Sequence, residues 1–242
     1  MTESTGITYD RACVLLSGGL DSVAALHYAL RAYKEVRAIS FRYGQPHQNA
    51  ELACAARVAG LRHVTMTTLA LADTLLTGDG FMRSVRDHDP SKFGGENEAF
   101  VPGRNAVFMS IAASHASTWW RGGNWALVFG ANADDASGFA DCRMNPIAQL
   151  TIALRFMCSR QLIIDCPFIK MTKADILARF ADSPIALDDI QRSWSCYRGN
   201  ESGPCHKCTA CVSRDDAFLK CGIDDMSEHP KMCGGDPQRG PR

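Results

Sequence analysis

Residues 12–30, Ala12-Cys13-Val14-Leu15-Leu16-Ser17-Gly18-Gly19-Leu20-Asp21-Ser22-Val23-Ala24-Ala25-Leu26-His27-Tyr28-Ala29-Leu30, decide the fold. The first five form an apolar run the length of a buried strand. Residues 23–30 repeat apolar side chains every three or four positions, the spacing of a helix face. A Gly-Gly turn between strand and helix leaves backbone N–H groups unpaired at the positive end of the helix dipole, a ready site for phosphate. Ser17 and Ser22 add hydroxyl donors. Asp21 would repel a bare anion, so it fits a helix cap or a ligand for Mg²⁺. The plainer alternative is a Gly-rich turn that Ser and Asp merely cap.

Outward from this unit, strand-like and helix-like runs alternate. Residues 36–41, 63–69, 125–130 and 161–165 read as strands, and 49–59, 105–119 and 145–159 as helices. Short apolar strands alternating with helices predict an α/β fold, a doubly wound and mostly parallel sheet covered on both faces. Residues 77–99 hold Gly, Asp, Pro and Asn without periodicity and read as a long loop. Trp119 and Trp120 read as the apolar end of a helix rather than a stacking platform. The predicted organisation is an α/β domain over residues 8–190, a cysteine-bearing segment over 191–221, and a loosely held tail over 222–242, where Gly, Pro, Asp and Lys dominate.

Composition narrows the function classes. A chain of 242 residues can bury a sizeable core without disulfide staples. Its 26 basic and 26 acidic residues balance, so the overall charge offers no footprint for a nucleic-acid backbone. No apolar stretch is long enough to span a bilayer. The polar N-terminus lacks the order of a signal peptide, so the expected location is cytoplasmic. Eleven cysteines in a long chain of this kind suggest metal binding or reduced core thiols rather than disulfides.

Cys196-x₈-Cys205-x₂-Cys208-x₂-Cys211 carries the metal reading. Four thiolates in so short a span close a tetrahedral zinc shell and leave no open position, which marks a structural site. His206, inside the cluster, is a lesser candidate ligand, and a redox or disulfide pair is the competing reading. Cys13, Cys54, Cys142, Cys158, Cys166, Cys221 and Cys233 have no metal-like spacing. Most read as small buried hydrophobes.

The Ser-Gly-Gly-x-Asp-Ser pattern resembles the pyrophosphate loop of ATP pyrophosphatase enzymes, which activate a substrate oxygen as an adenylate. It lacks the Gly-Lys-Ser/Thr ending of a Walker loop, so γ-phosphate transfer is not expected. Loop and cysteine cluster together, in this order, resemble the 7-cyano-7-deazaguanine synthase family. Phe41-Arg42-Tyr43-Gly44-Gln45-Pro46-His47-x₃-Glu51, Val101-Pro102-Gly103-Arg104-Asn105, and Gly130-x-Asn132-x₂-Asp135-x-Ser137-Gly138-Phe139-x-Asp141-Cys142-Arg143 extend the likeness, as do Ser195-Cys196-Tyr197 and Arg214. It covers about residues 13–218. It implies a Rossmann-like fold of the adenine nucleotide alpha-hydrolase type with a small C-terminal zinc knuckle, and a homodimer. The implied activity converts 7-carboxy-7-deazaguanine and ammonia into the nitrile, using ATP with Mg²⁺ and structural Zn²⁺. Three positions depart from the family pattern. Phe139-Ala140 replaces Tyr-Pro, Asn145-Pro146 replaces a Glu-Phe pair, and His206 stands where the knuckle has Gly. A glutamate is a natural partner for the amidine edge of a deazaguanine, so the second change bears on substrate choice.

The expected ATP site is Ser17, Gly18, Gly19, Leu20, Asp21 and Ser22, with Asp21, Arg104 and Lys173 as catalytic residues. Arg104, in a Pro-Gly loop at a helix start, can reach a phosphate fork-to-fork or sit solvated at the surface. Lys173 follows Thr172 at a helix start, within a stretch that resembles a capping box, Thr172-x₂-Asp175, where a cation sits badly unless an anion neutralises it. Gln45, His47, Asp135, Phe139, Asp141 and Arg143 are the expected substrate contacts. His47 and Glu51, four apart, suit proton handling or a structural pair equally well. Asp135 and Asp141 can hold Mg²⁺ or the substrate amidine. Cys142 reads as a buried or substrate-lining thiol. Two other functions compete: an amide-forming ligase for a different deazapurine or other acid, and a catalytically silent zinc-knuckle binding protein. The partners expected are small molecules, neither nucleic acid nor membrane.

Overall fold

The computed structural model describes residues 9–71, 101, 103–159, 161–198 and 203–227. The expected loop at 77–99 and the tail beyond residue 227 lie outside these residues. The strands are β1 (Arg11–Leu15), β2 (Glu35–Arg42), β3 (Thr65–Ala70), β4 (Trp125–Val128) and β5 (Leu162–Asp165). They form one five-stranded sheet in the order β3-β2-β1-β4-β5, with every pair parallel. The helices are α1 (Leu20–Ala32), α2 (Gln48–Leu61), α3 (Arg104–Trp119), α4 (Ala133–Gly138), α5 (Met144–Met157), α6 (Lys173–Phe180), α7 (Pro184–Gln191) and α8 (Thr209–Cys221).

Strand periodicity sorts the side chains into two cores. Ala12 and Val14 of β1, with Ala126 and Val128 of β4, face one core shared with α1, α2, α6, α7 and α8. Cys13, Leu15, Trp125 and Leu127 face the other, packed by Met109 and Ala112 of α3 and Leu154 of α5. Burial on both faces explains why these strands read as continuous apolar runs. β3 begins at Thr65 rather than His63 because His63 takes a left-handed turn, φ 54°, just after α2. Sequence patterning gave no sign of α7, whose eight residues leave little room for periodicity, or of α8, which begins inside the cysteine cluster.

Strand order reverses between β1 and β4, so the crevice at their C-terminal ends is the topological switch point where such sheets bind ligands. The loop after β1 is residues 16–19, and Gly130 follows β4 closely. A Cβ on Gly130 would stand 2.7 Å from the Asp21 carbonyl oxygen. Only glycine lets the two loops close on one another.

The cysteine segment does not stand apart. Ala217 and Phe218 of α8 belong to the same core as α1 and α6. Residues 222–227, at the head of the expected loose tail, are pinned: Arg214, 2% exposed, donates to both Asp225 carboxylate oxygens at 2.7 and 2.9 Å. Gln191 Nε2 also donates to the Asp224 carbonyl at 2.7 Å. No helix among the described residues is long and apolar enough to cross a membrane.

Candidate active site

The loop after β1 is shaped by its two glycines and two serines. Gly18 has φ 94°, and a Cβ there would come within 2.1 Å of the Glu51 carbonyl oxygen on α2. Its N–H donates to Ser22 Oγ at 3.1 Å, and the Gly19 N–H to Ser17 Oγ at 3.2 Å. Val23 N–H is the first helical donor of α1, to the Gly19 carbonyl at 3.0 Å. The N–H groups of Leu20, Asp21 and Ser22 therefore have no acceptor within their own helix. They form the positive cradle expected for a phosphate chain.

Beside this cradle lies a charged cluster that spacing could not reveal. Lys173 Nζ, at the start of α6, is 2.8 Å from Asp135 Oδ1 and 3.5 Å from Asp21 Oδ2. Burial works against the lysine charge, but the Asp21 and Asp135 carboxylates outweigh it and lift its pKa above the ordinary value. Burial pushes the Asp21 carboxyl up to about 6, against the pull of Lys173 and with Asp135 adding to the rise. Asp21 Oδ1 is enclosed and has no hydrogen-bond partner. An enclosed carboxylate oxygen without a donor, next to a phosphate cradle, fits a divalent cation. The expected capping box holds: Asp175 N–H donates to Thr172 Oγ1, and Thr172 N–H to Asp175 Oδ2. Asp134 accepts from the Lys173 N–H at 2.8 Å and so caps the same helix.

Both groups open into one cavity of about 630 Å³ at the switch point. Ser17, Gly19, Leu20, Asp21, Ser22, Asp135 and Lys173 line it. So do Gln45, His47, Glu51, Arg104, Phe108, Phe139 and Tyr197. The guanidinium of Arg104 stands 5.9 Å from the centroid of the Phe139 ring. Gln45, 3% exposed, accepts from the Tyr43 N–H at 3.2 Å and donates to Glu51 Oε2 at 3.3 Å. Its amide is thus oriented, and it fixes Glu51 rather than offering a free pair of polar atoms. Cys142 is buried beside Asn105, and burial pushes its thiol pKa far up, so it is no nucleophile at neutral pH.

Two of the expected substrate residues are placed elsewhere. Asp141 accepts from the main-chain N–H and the side chain of Asn105, at 2.9 and 3.2 Å, and so caps α3. Arg143 donates to the Ala136 carbonyl at 2.9 Å. Neither lines the cavity. Asp135 does, but Lys173 and Asn132 Nδ2, the latter at 2.9 Å, already occupy its two oxygens. Glu51, Tyr43 and Tyr197 belong to the motifs read in the sequence, Glu51 as a partner for His47, and all three lie close to Arg104. Thr209, Ser213 and Lys220 of α8 reach the rim because α8 folds back, and nothing in their own spacing announced it.

The Sγ atoms of Cys196, Cys205, Cys208 and Cys211 lie within 4.8 Å of one another. A tetrahedral metal with Zn–S bonds of about 2.3 Å needs sulfurs about 3.8 Å apart, so the set fits. Backbone N–H groups of Arg198 and Cys205 donate to Cys196 Sγ, and that of Cys208 to Cys205 Sγ, each at 3.3 Å. Such donors stabilise thiolates. His206 takes φ 51°, the conformation that glycine would adopt freely, and its ring turns outward to Asp215 Oδ2 at 3.0 Å. It is no ligand. The cluster touches the nucleotide end directly: Trp194 N–H donates to the Gly18 carbonyl at 3.0 Å, and Trp194 Nε1 to the Cys196 carbonyl at 2.8 Å.

A parallel sheet with a Gly-rich anion cradle at its switch point and a lysine held among carboxylates defines a nucleotide-binding α/β protein of the pyrophosphate-loop class. A model of the family described as queuosine biosynthesis protein QueC matches residues 11–222, and the chain belongs to that family. It is 36% identical over 226 residues to the 7-cyano-7-deazaguanine synthase of Chromobacterium violaceum, covering 89% of this chain and 92% of the relative. The enzyme of the same name from Thermoplasma acidophilum is 33% identical over 235 residues, at 91% and 92% coverage. Among solved structures, the U34-tRNA thiolase NcsA from Methanococcus maripaludis with its [4Fe-4S] cluster aligns with 89% of this chain and 69% of its own. The TM-score is 0.45 and the identity 16%.

Proposed function

We infer that this chain makes 7-cyano-7-deazaguanine from 7-carboxy-7-deazaguanine and ammonia, with ATP activating each oxygen to be removed. The observation that carries the reading is one cavity joining the loop at residues 17–22, the Asp21–Lys173–Asp135 cluster and an Arg104–Phe139 pocket. The intact loop also disfavours a catalytically silent protein, and the relatives' names favour the nitrile over a product that stops at the amide.

The chemistry needs charge control. A carboxylate is a poor electrophile, and adenylation converts one oxygen into a leaving group. The loop amides and Lys173 hold the β- and γ-phosphates as they depart as pyrophosphate. Arg104 neutralises the substrate carboxylate or the α-phosphate. Asp21, through its unpartnered Oδ1, would hold Mg²⁺, which would supply electrophilic polarisation of the phosphates. The aromatic faces of Phe139 and Phe108 give the planar heterocycle an apolar bed that excludes water. Ammonia attack gives the amide, and adenylation of the amide oxygen followed by loss of AMP gives the nitrile. Cys196, Cys205, Cys208 and Cys211 would hold a structural Zn²⁺ in a closed shell. We further propose a cytoplasmic homodimer whose ligands are small molecules rather than nucleic acid or membrane.

Calorimetry with 7-carboxy-7-deazaguanine and a non-hydrolysable ATP analogue tests the substrate. Binding of the acid that strengthens in the presence of the analogue is expected. No binding, with another acid adenylated instead, would leave the loop chemistry standing and remove the nitrile assignment.

A further inference from the structure

Ammonia at neutral pH is almost entirely ammonium, which has no lone pair to attack with. The ammonia-consuming reaction proposed above, on which this inference rests, therefore needs a proton acceptor on the cavity wall. His47 and Glu51 stand there. His47 precedes α2 and Glu51 lies in its first turn, so the two share a face. His47 Nε2 lies 3.6 Å from Glu51 Oε2. His47 is 7% exposed, and its Nδ1 is enclosed with no partner, which leaves Nε2 as the nitrogen able to meet a ligand. The Gln45 amide, itself fixed by the Tyr43 N–H, holds Glu51 Oε2 in place. Tyr197 packs on the His47 ring, 5.3 Å between centroids. Arg104, from α3, lies close enough to Tyr43, Tyr197 and Glu51 to interact with their charges. Gly18 rests on the Glu51 main chain, so the pair adjoins the loop where the adenylate forms.

We propose that Glu51 and His47 form the nitrogen subsite: Glu51 holds ammonium as its counter-ion, and His47 Nε2 removes one of its protons. The freed lone pair forms the C–N bond to the activated carboxyl carbon. The C–O bond to AMP then breaks and AMP leaves with that electron pair, while its phosphate takes the second proton lost by nitrogen. His47 returns its proton to water through the cavity mouth. His47 is the catalytic residue of the pair, and Glu51 binds and orients.

Hydroxylamine separates this role from a structural one, because it is largely unprotonated at neutral pH and needs no base. The full-length enzyme and its His47→Asn and Glu51→Gln variants are compared in three measurements: ATP–pyrophosphate exchange, amide formation from ammonium, and hydroxamate formation from hydroxylamine. His47→Asn should lower kcat/KM for ammonia by about 100-fold or more. The ratio of hydroxamate formation to exchange should stay near the parent value whatever the variant does to acid binding, and raising the pH should restore much of the ammonia reaction. Glu51→Gln should act mainly on KM for ammonium. If His47→Asn does not fold, as exchange will reveal, His47→Gln takes its place. Equal losses with both nucleophiles, or undiminished use of ammonia, would overturn the proposal. Absence of exchange with 7-carboxy-7-deazaguanine in the parent enzyme would count against the substrate instead. The ratio of the two nucleophiles on whichever acid is adenylated still tests His47.

Discussion

Asp21 shows how a single site residue sets stability against function. With its pKa raised to about 6, the folded protein keeps a proton that the unfolded chain has released above its ordinary value of about 3.9. Stability of the nucleotide-free protein therefore falls as pH rises from about 4 to 6, since the unfolded state binds fewer protons there. Asp21→Asn removes that penalty. It should melt above the parent at pH 7, by on the order of 2 kcal/mol, and the two curves should meet near pH 4. The same variant should lose nucleotide turnover. Gly18→Ala should fail in the opposite way, because φ 94° and a backbone oxygen at 2.1 Å leave no room for a methyl group. A loss of about 2 kcal/mol or more together with weakened ATP binding is expected, read by urea unfolding and calorimetry. At this scale the loop residues and four cysteines were legible because their chemistry is local in sequence. Asp135 and Lys173 were legible as candidates but not as a pair, since 38 residues separate them and only the fold joins them. Asp141 and Arg143 looked like substrate ligands because they sit in a polar motif. The structure spends Asp141 on the start of α3 and Arg143 on the Ala136 carbonyl.

Between elements, the cysteine cluster buttresses the nucleotide loop. Trp194 bonds to Gly18 on one side and to the Cys196 carbonyl on the other. Arg214, on the helix that follows Cys208 and carries Cys211, donates to Ser193 Oγ, Ser195 Oγ and the Ile190 and Gln191 carbonyls. Metal bound by the four thiolates would thus fix the strap that holds Gly18. Cys208→Ser should lose zinc and a large share of stability together. Chelating the parent protein should weaken ATP binding measured by calorimetry, before any assay of turnover. Iron in place of zinc in metal analysis, or nucleotide affinity indifferent to chelation, would contradict this. The strap was invisible in the sequence. Motif spacing predicts ligands, whereas contact between a knuckle and a loop nearly 180 residues earlier in the chain depends on tertiary packing.

At the level of the whole molecule, alternating apolar strands and helices sufficed to predict the doubly wound sheet, because burial on both faces writes itself as uninterrupted apolar runs. The short α7 and the cysteine-bearing α8 escaped, and so did the centre that ties three helices together. Asp189 of α7, fully buried, accepts from His27 of α1 at 2.9 Å and from Arg57 and Arg62 of α2 and its end at 3.2 and 2.7 Å. Burial works against its charge, but His27 and Arg62 hold its pKa below the usual value. Its stabilisation is present above the unfolded pKa of about 3.9 and is lost as pH falls through the lower folded value. Asp189→Asn should cost about 3–5 kcal/mol at pH 7 by stranding buried cations, and much less in acid. Equal unfolding midpoints at pH 7 would refute that role.

The central claim is that this cavity removes both carboxyl oxygens of a deazaguanine acid as AMP. Incubating the purified protein with 7-carboxy-7-deazaguanine, ATP, Mg²⁺ and ¹⁵N-ammonium, then recording product mass and nucleotide products together, tests it most directly. The account predicts a ¹⁵N-nitrile, with AMP and pyrophosphate formed once for each oxygen removed. An amide as the final product, or ADP and phosphate in place of AMP and pyrophosphate, would contradict it.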